Sequence, residues 1–245
     1  FDSAAGLYTN AFRISSSVDW TEGMVRSLVH LSRCSDRTGD SSTSRDYLKA
    51  AEELLFASDD PVLDVLVGNR EVEWLLFNES AGSALEKCIS VSQNHGSVSS
   101  SEAGETWRLM AAIYKKKGDY DSALVNIEKA VSHDDKYHYL AELASDYYIK
   151  SSIQSLSGNE ADAVNSMLQA LHYDKFIENT AAITQDLYAL GLIYEKMGDS
   201  EMAIHYFQRT YLVYTGSGKT SVPEILQKKL EKGDNKILLP TEDDR

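Results

Sequence analysis

The sequence predicts an all-α chain, a solenoid of helix–turn–helix repeats. Three observations predict it. Glycines recur 40 residues apart at 118, 158 and 198, each opening a polar turn before a small residue, Ala123, Ala163 or Ala203. The apolar residues flanking those turns follow helical spacing rather than strand alternation. The composition, 42% hydrophobic and 25% charged with 3 Pro among 245 residues, is that of a chain able to bury a core.

The elements follow from the N-terminus. Ala4, Tyr8 and Ala11 show the small, large, small spacing of a second helix, so residues 1–15 read as half a repeat. Five full units follow at 21–58, 59–94, 99–134, 137–174 and 177–215. Their second helices carry the same three slots: Ser44, Leu48, Ala51; then Ala84, Cys88, Val91; then Ala123, Ile127, Ala130. The series closes with Ala163, Met167, Ala170 and Ala203, Phe207, Thr210. First helices show apolar residues at spacing 3, 1, 3, as in Trp107, Met110, Ala111, Tyr114 and Leu187, Leu190, Gly191, Tyr194. Each turn glycine supplies the left-handed backbone that ends a helix, and the Asp or Asn after it caps the next. Asp60-Pro61 marks a helix start. Ser99 with Glu102 forms a capping-box pattern. His95 to Ser101 reads as a soft joint between two halves of the array. Val222 to Leu230 forms one more amphipathic helix, placed to cap the last repeat. The division is thus a repeat array over 1–217, then a capping helix and mobile tail over 218–245.

These slots resemble the tetratricopeptide repeat. The unit from Trp107 to Ala130 and the unit from Leu187 to Phe207 follow that pattern almost slot for slot. The unit between them departs at Lys150 and Gln154, and the 59–94 unit departs at Gly68 and Glu79. The period of 40 residues, against about 34 in the family, implies longer helices or linkers. The resemblance covers roughly residues 1–217 and implies a right-handed superhelix whose first helices line a concave groove. It implies a binding role without naming a partner.

On the groove-facing side of the first helices lie Arg26, His30, Arg33 and Arg37, then Asn69, Arg70 and Glu73, then Arg108 and Lys115. Tyr148, Ser152 and Tyr188 continue the strip. Five of the nine Arg fall on it in a chain of net charge −14. Arginine suits bidentate capture of carboxylates. The expectation is a groove basic at its N-terminal end and Tyr-lined at its C-terminal end, holding a peptide segment of acidic character. The plainer alternative is a solvated face balanced by Glu73 and neighbouring acids.

Other chemistry finds little footing. A charge of −14 opposes nucleic-acid and anionic-membrane partners, and no apolar run approaches a membrane span. Thr215 to Thr220 resembles a phosphate loop, but Val213 stands where that loop needs glycine. The six histidines include no helical zinc pair. No nucleophile–base arrangement can be proposed. Cys88 fills a core slot, and Cys34 sits late on a first helix where part exposure is expected. Asn78-Glu79-Ser80 matches the glycosylation tripeptide. The chain begins at Phe1 and reads as a fragment or processed product. Its sparse cysteine and Ser/Asp/Tyr-rich surface fit an exported bacterial envelope protein and also a piece of a cytoplasmic one. The leading expectation is a non-catalytic protein-interaction scaffold without cofactor or metal. The rivals are a ligand-sensing regulatory domain flexing at 95–101, and an accessory region of a larger enzyme.

Overall fold

A computed structural model describes residues 2–56, 58–94, 98–219 and 221–231. The expected tail at 233–245 lies outside the described residues, as do His95 and two other residues of the expected joint. The described chain is all helix and turn. It runs α1 (Asp2–Ser17), α2 (Thr21–Arg37), α3 (Ser41–Leu55), α4 (Pro61–Asn78), α5 (Ala81–Asn94) and α6 (Ser101–Lys117). It continues α7 (Tyr120–Tyr137), α8 (Leu140–Leu156), α9 (Glu160–Phe176), α10 (Thr180–Met197), α11 (Ser200–Gly216) and α12 (Glu224–Glu231). Helices α2 and α3, α4 and α5, α8 and α9, and α10 and α11 pack as consecutive pairs. The extra residues per repeat lie in the helices, which run 14–18 residues across those units.

The turns show why the glycines recur. Gly39, Gly118, Gly158 and Gly198 all have φ between 78° and 87°, a region that L side chains avoid. The residue after each then donates its backbone N–H to the carbonyl five residues earlier: Asp119 N to Tyr114 O and Asp199 N to Tyr194 O, both at 3.0 Å. The side chains of Asp40 and Asp199 then accept from Thr43 N and Met202 N and cap the next helix. The turns between repeats use the same bond without glycine. His138 and Glu178 sit at φ 59° and 58°, 40 residues apart. Helix α6 starts at Ser101 with Ser100 as its N-cap, one residue later than the Ser99 pattern predicts.

Contacts divide the chain into two compact units, Phe1–His133 and Asp134–Arg245. The division falls inside α7, not at the 95–101 linker. In the first unit the core joins Val25, Leu28, Val29, Leu48, Leu63 and Leu66, all fully or nearly buried. Burying each such side chain contributes about 2 kcal/mol. In the second, Met167, Leu171, Leu187, Leu190 and Tyr206 fill the same role. Small slots set the helix spacing. A Cβ on Gly191 would stand 2.5 Å from the Phe207 ring, and one on Gly68 2.6 Å from Val91. Cys34 is buried rather than part-exposed, and Cys88 is buried as expected. No described helix is long and apolar enough to cross a membrane.

Candidate functional site

In the first unit the expected basic strip proves to be a ladder of ion pairs joining α2, α4 and α6. Arg33 grips Glu73 with two hydrogen bonds, 2.9 and 3.2 Å, and reaches Glu105 at 2.9 Å. Arg26 spans Glu22 and Glu102, both at 2.8 Å. Arg70 does not face solvent at all; it is 2% exposed. Its guanidinium pairs with Asp36, donates to Glu73 at 3.1 Å, and donates to the hydroxyls of Ser32 and Ser44 at 2.8 and 2.9 Å. Asn69 is also buried, donating to Glu102 O at 2.7 Å and accepting from Thr106 Oγ1 at 2.8 Å. The helix-face geometry that pointed Asn69 and Arg70 outward ignored the neighbouring repeats, which close over them. Arg108 is half-buried and Arg37 exposed.

A cavity of about 770 Å³ opens between α1, α2 and α4. Tyr8, His30, Arg33, Arg37, Glu73 and Phe77 are among its walls. His30 stacks on Tyr8 with ring centroids 4.5 Å apart. Burial lowers the His30 pKa, and the charges of Arg33 and Arg26 lower it further while Glu73 opposes them. Burial pushes the Glu105 carboxyl up; Arg33 opposes that and nearby Glu73 adds to it.

The second unit is different in chemistry. Tyr148 on α8 and Tyr188 on α10 share a cavity of about 260 Å³ with Tyr214, Pro223, Ile225 and Leu226. Its remaining walls are Thr184, Gln185 and Thr210, so no charged side chain lines it. The Tyr188 ring packs on Phe207 at 5.5 Å, and its buried hydroxyl has no hydrogen-bond partner. Tyr214 Oη donates to Ser221 O at 3.1 Å and pins the chain entering α12. Tyr148 is 37% exposed. Its phenol is pushed above the ordinary value by burial and then by Asp186 nearby. Asp186 is 1% exposed and pairs with the buried Asp174. Burial, then the Asp174 charge and hydrogen bond, push it up to about 8.

The structure therefore brings together Arg26 and Arg33 in one ladder, His30, Arg33 and Arg37 at one cavity, and Tyr148 and Tyr188 at another. Sequence reasoning missed Asp36, Glu102 and Glu105 as the arginines' partners. A signal was present: Arg33 and Glu73 stand 40 residues apart, in the same slot of successive repeats. It also missed Tyr214 and Ile225, which the turn after α11 delivers. The segment read against a phosphate loop is the end of α11, with Gly218 at φ 81°. Among the described residues no cluster of three or more His, Cys, Asp or Glu side chains is placed to hold a metal ion.

Residues 105–137 and 187–209 match the sequence profile of the tetratricopeptide repeat. The chain carries tetratricopeptide repeats. Solved structures agree on the fold. BtubC (BKLC) from P. vanneervenii superposes with a TM-score of 0.73 at 14% identity, covering 98% of each chain. Repeats of a kinesin light chain from Podosopora anserina give 0.62 at 13% identity, over 80% of this chain and 97% of that one. Aspartyl phosphate phosphatase F from Bacillus subtilis gives 0.68 at 12% identity, with 89% of this chain covering 57% of that protein. At these identities the likeness is one of tetratricopeptide fold. No curated protein matches the sequence.

Proposed function

We propose that this tetratricopeptide-repeat chain is a non-catalytic scaffold that holds a segment of a partner protein on the face of its first helices. One observation carries the reading: the Tyr148–Tyr188 cavity, a largely apolar recess bounded by the first helices α8 and α10 and by α11 and α12, with part-exposed aromatic walls. Preformed aromatic surface binds at low entropic cost, because its side chains are already held. The first unit has a separate cavity, walled by Arg37 and the stacked Tyr8–His30 pair. Three arginines of the strip hold carboxylates of the chain itself, so an acidic partner there competes with Glu73, Glu102 and Glu105. That weakens the case for acidic character and leaves the case for a protein partner intact.

The test is site-specific photo-cross-linking. A cross-linking amino acid replaces Tyr148 or Arg37, with exposed Val125 as the control position. The scaffold reading expects a discrete protein adduct at 148 or 37 and none at 125. Adducts from position 125 alone refute it.

A further inference from the structure

We propose that the uncovered side of α1 docks against the same side of α1 in a second copy of this chain, the two helices antiparallel about a two-fold axis at Asn10. The inference is independent of the scaffold reading and concerns another surface. One side of α1 packs on α2: Phe12 joins the core around Val25 and Leu48, and Tyr8 stacks on His30. The other side is open. Leu7 is 68% exposed, and Ile14 and Val18 are each 65% exposed. Ala4, Tyr8 and Ala11 are only half-buried, whereas the matching slots of α3, α5, α7, α9 and α11 are all buried. Within a repeat it is the first helix that closes over those slots. Ser32 bonds Ser44 at 3.0 Å, Ser151 donates to Ala163 O at 2.7 Å, and Gly191 faces the Phe207 ring. The open side of α1 is therefore shaped for a helix.

A second copy is selected because α1 carries both halves of that packing pattern. Leu7, Ala11 and Ile14 repeat the large, small, large spacing of first helices, as in Trp107, Ala111, Tyr114 and Leu187, Gly191, Tyr194. Ala4, Tyr8 and Ala11 are second-helix slots. A helix from another protein would use only the second set; another α1 uses both. In the repeats the small first-helix slot meets the large second-helix slot, Gly191 against Phe207. The first-helix slot three residues on meets the residue just before the large slot, Gln154 against Ser166 at 2.7 Å. Carried over to two α1 helices, Ala11 meets Tyr8 of the second copy, and Ile14 meets Leu7 of the second copy. The two pairs have their midpoints on either side of Asn10, so one two-fold axis satisfies both and each contact is made twice. Asn10 then faces its own mate, and a carboxamide can both donate and accept.

Charge points the same way. Each copy carries −14, so two copies repel wherever both present charge. Helical spacing places Ser3, Gly6, Leu7, Asn10, Ile14 and Ser17 on the open side, and none of them is charged. The small residues among them let two helices approach closely.

The test uses the full chain. Sedimentation equilibrium should show a monomer–dimer equilibrium that tightens at high salt, because screening removes the repulsion between copies. Leu7→Glu should weaken the dimer roughly 100-fold, since it buries two carboxylates in an apolar contact. Val125→Glu, at an exposed position of α7, should leave it unchanged. Asn10→Cys should give a disulfide-linked dimer on mild oxidation, and Ser16→Cys, exposed on another side of α1, should not. Cys34 and Cys88 are buried and stay out of that reaction. Circular dichroism must show each variant folded as the parent is. A chain monomeric at every concentration, a Leu7→Glu dimer as tight as the parent's, a dimer that salt dissociates, or linkage from Ser16→Cys as ready as from Asn10→Cys overturns the proposal. A photo-cross-linker at position 7 that captures a different protein while the chain stays monomeric gives the face to that partner and overturns it too.

Discussion

Replacing Asp186 with Asn is expected to stabilise the second unit at neutral pH and to flatten its response to pH. Asp186 on α10 and Asp174 on α9 are 1% and 5% exposed and share a hydrogen bond. Two buried carboxyls at hydrogen-bond distance cannot both ionise cheaply. Asp186 therefore holds its proton up to about pH 8, against an ordinary value of 3.8. The unfolded chain releases that proton near pH 4. The folded state thus binds more protons between about pH 4 and pH 8, and stability falls as pH rises across that window. At about 1.4 kcal/mol per pKa unit the ceiling is about 6 kcal/mol. Water and side-chain relaxation raise the effective interior dielectric, so the expected gain for Asp186→Asn near neutral pH is about 2 kcal/mol. Asn keeps the shape and offers Asp174 a donor. The assay is urea unfolding of parent and variant across the acid-to-alkaline range. The two midpoints should converge near pH 4 and diverge as pH rises. Parallel pH profiles, or a variant less stable at high pH, would refute the reasoning. Buried acids one repeat earlier, Asp134 and Asp146, occupy the equivalent positions.

Other perturbations have outcomes set by single contacts. Arg70→Met strands Asp36 beside a buried space and leaves Glu73 to Arg33 alone, and thermal melts should show a loss of about 3–5 kcal/mol. Gly191→Ala drives a methyl group into the Phe207 ring and should cost about 2 kcal/mol. Adding Phe207→Leu to that variant should recover part of the loss, which a double-mutant cycle in urea will measure. Glu178→Gly relieves a non-glycine residue at φ 58° and should raise stability by up to about 1 kcal/mol in the same assay. The Cys88 thiol is pushed up to about 12 by burial, so Ellman's reagent should leave it unreacted in the native chain and titrate it only in denaturant.

Much of the architecture was legible because it is local. A helix end needs a left-handed residue, and glycine at 39, 118, 158 and 198 announces it. Core slots repeat because every unit packs against the next in the same way. Gly191 beside Phe207 was readable as a small residue admitting a large one. The inter-repeat turns were harder, because His138 and Glu178 take the left-handed conformation without the residue that signals it.

The candidate sites divide along the same line. Sequence alone determined which residues share the first-helix face, since helical spacing is a property of one element. Tertiary structure decided what that face is. Whether Arg33 is an open cation or half of a bidentate pair depends on Glu73 and Glu105, which arrive from two other repeats. Whether Arg70 meets solvent depends on how closely the neighbouring helices approach. The uncharged cavity exists only because Tyr214 and Ile225 come back beside Tyr148 after a chain reversal. Electrostatics and burial depend on distances between segments far apart in sequence, and those distances are set by packing rather than by the spacing of residues along a helix.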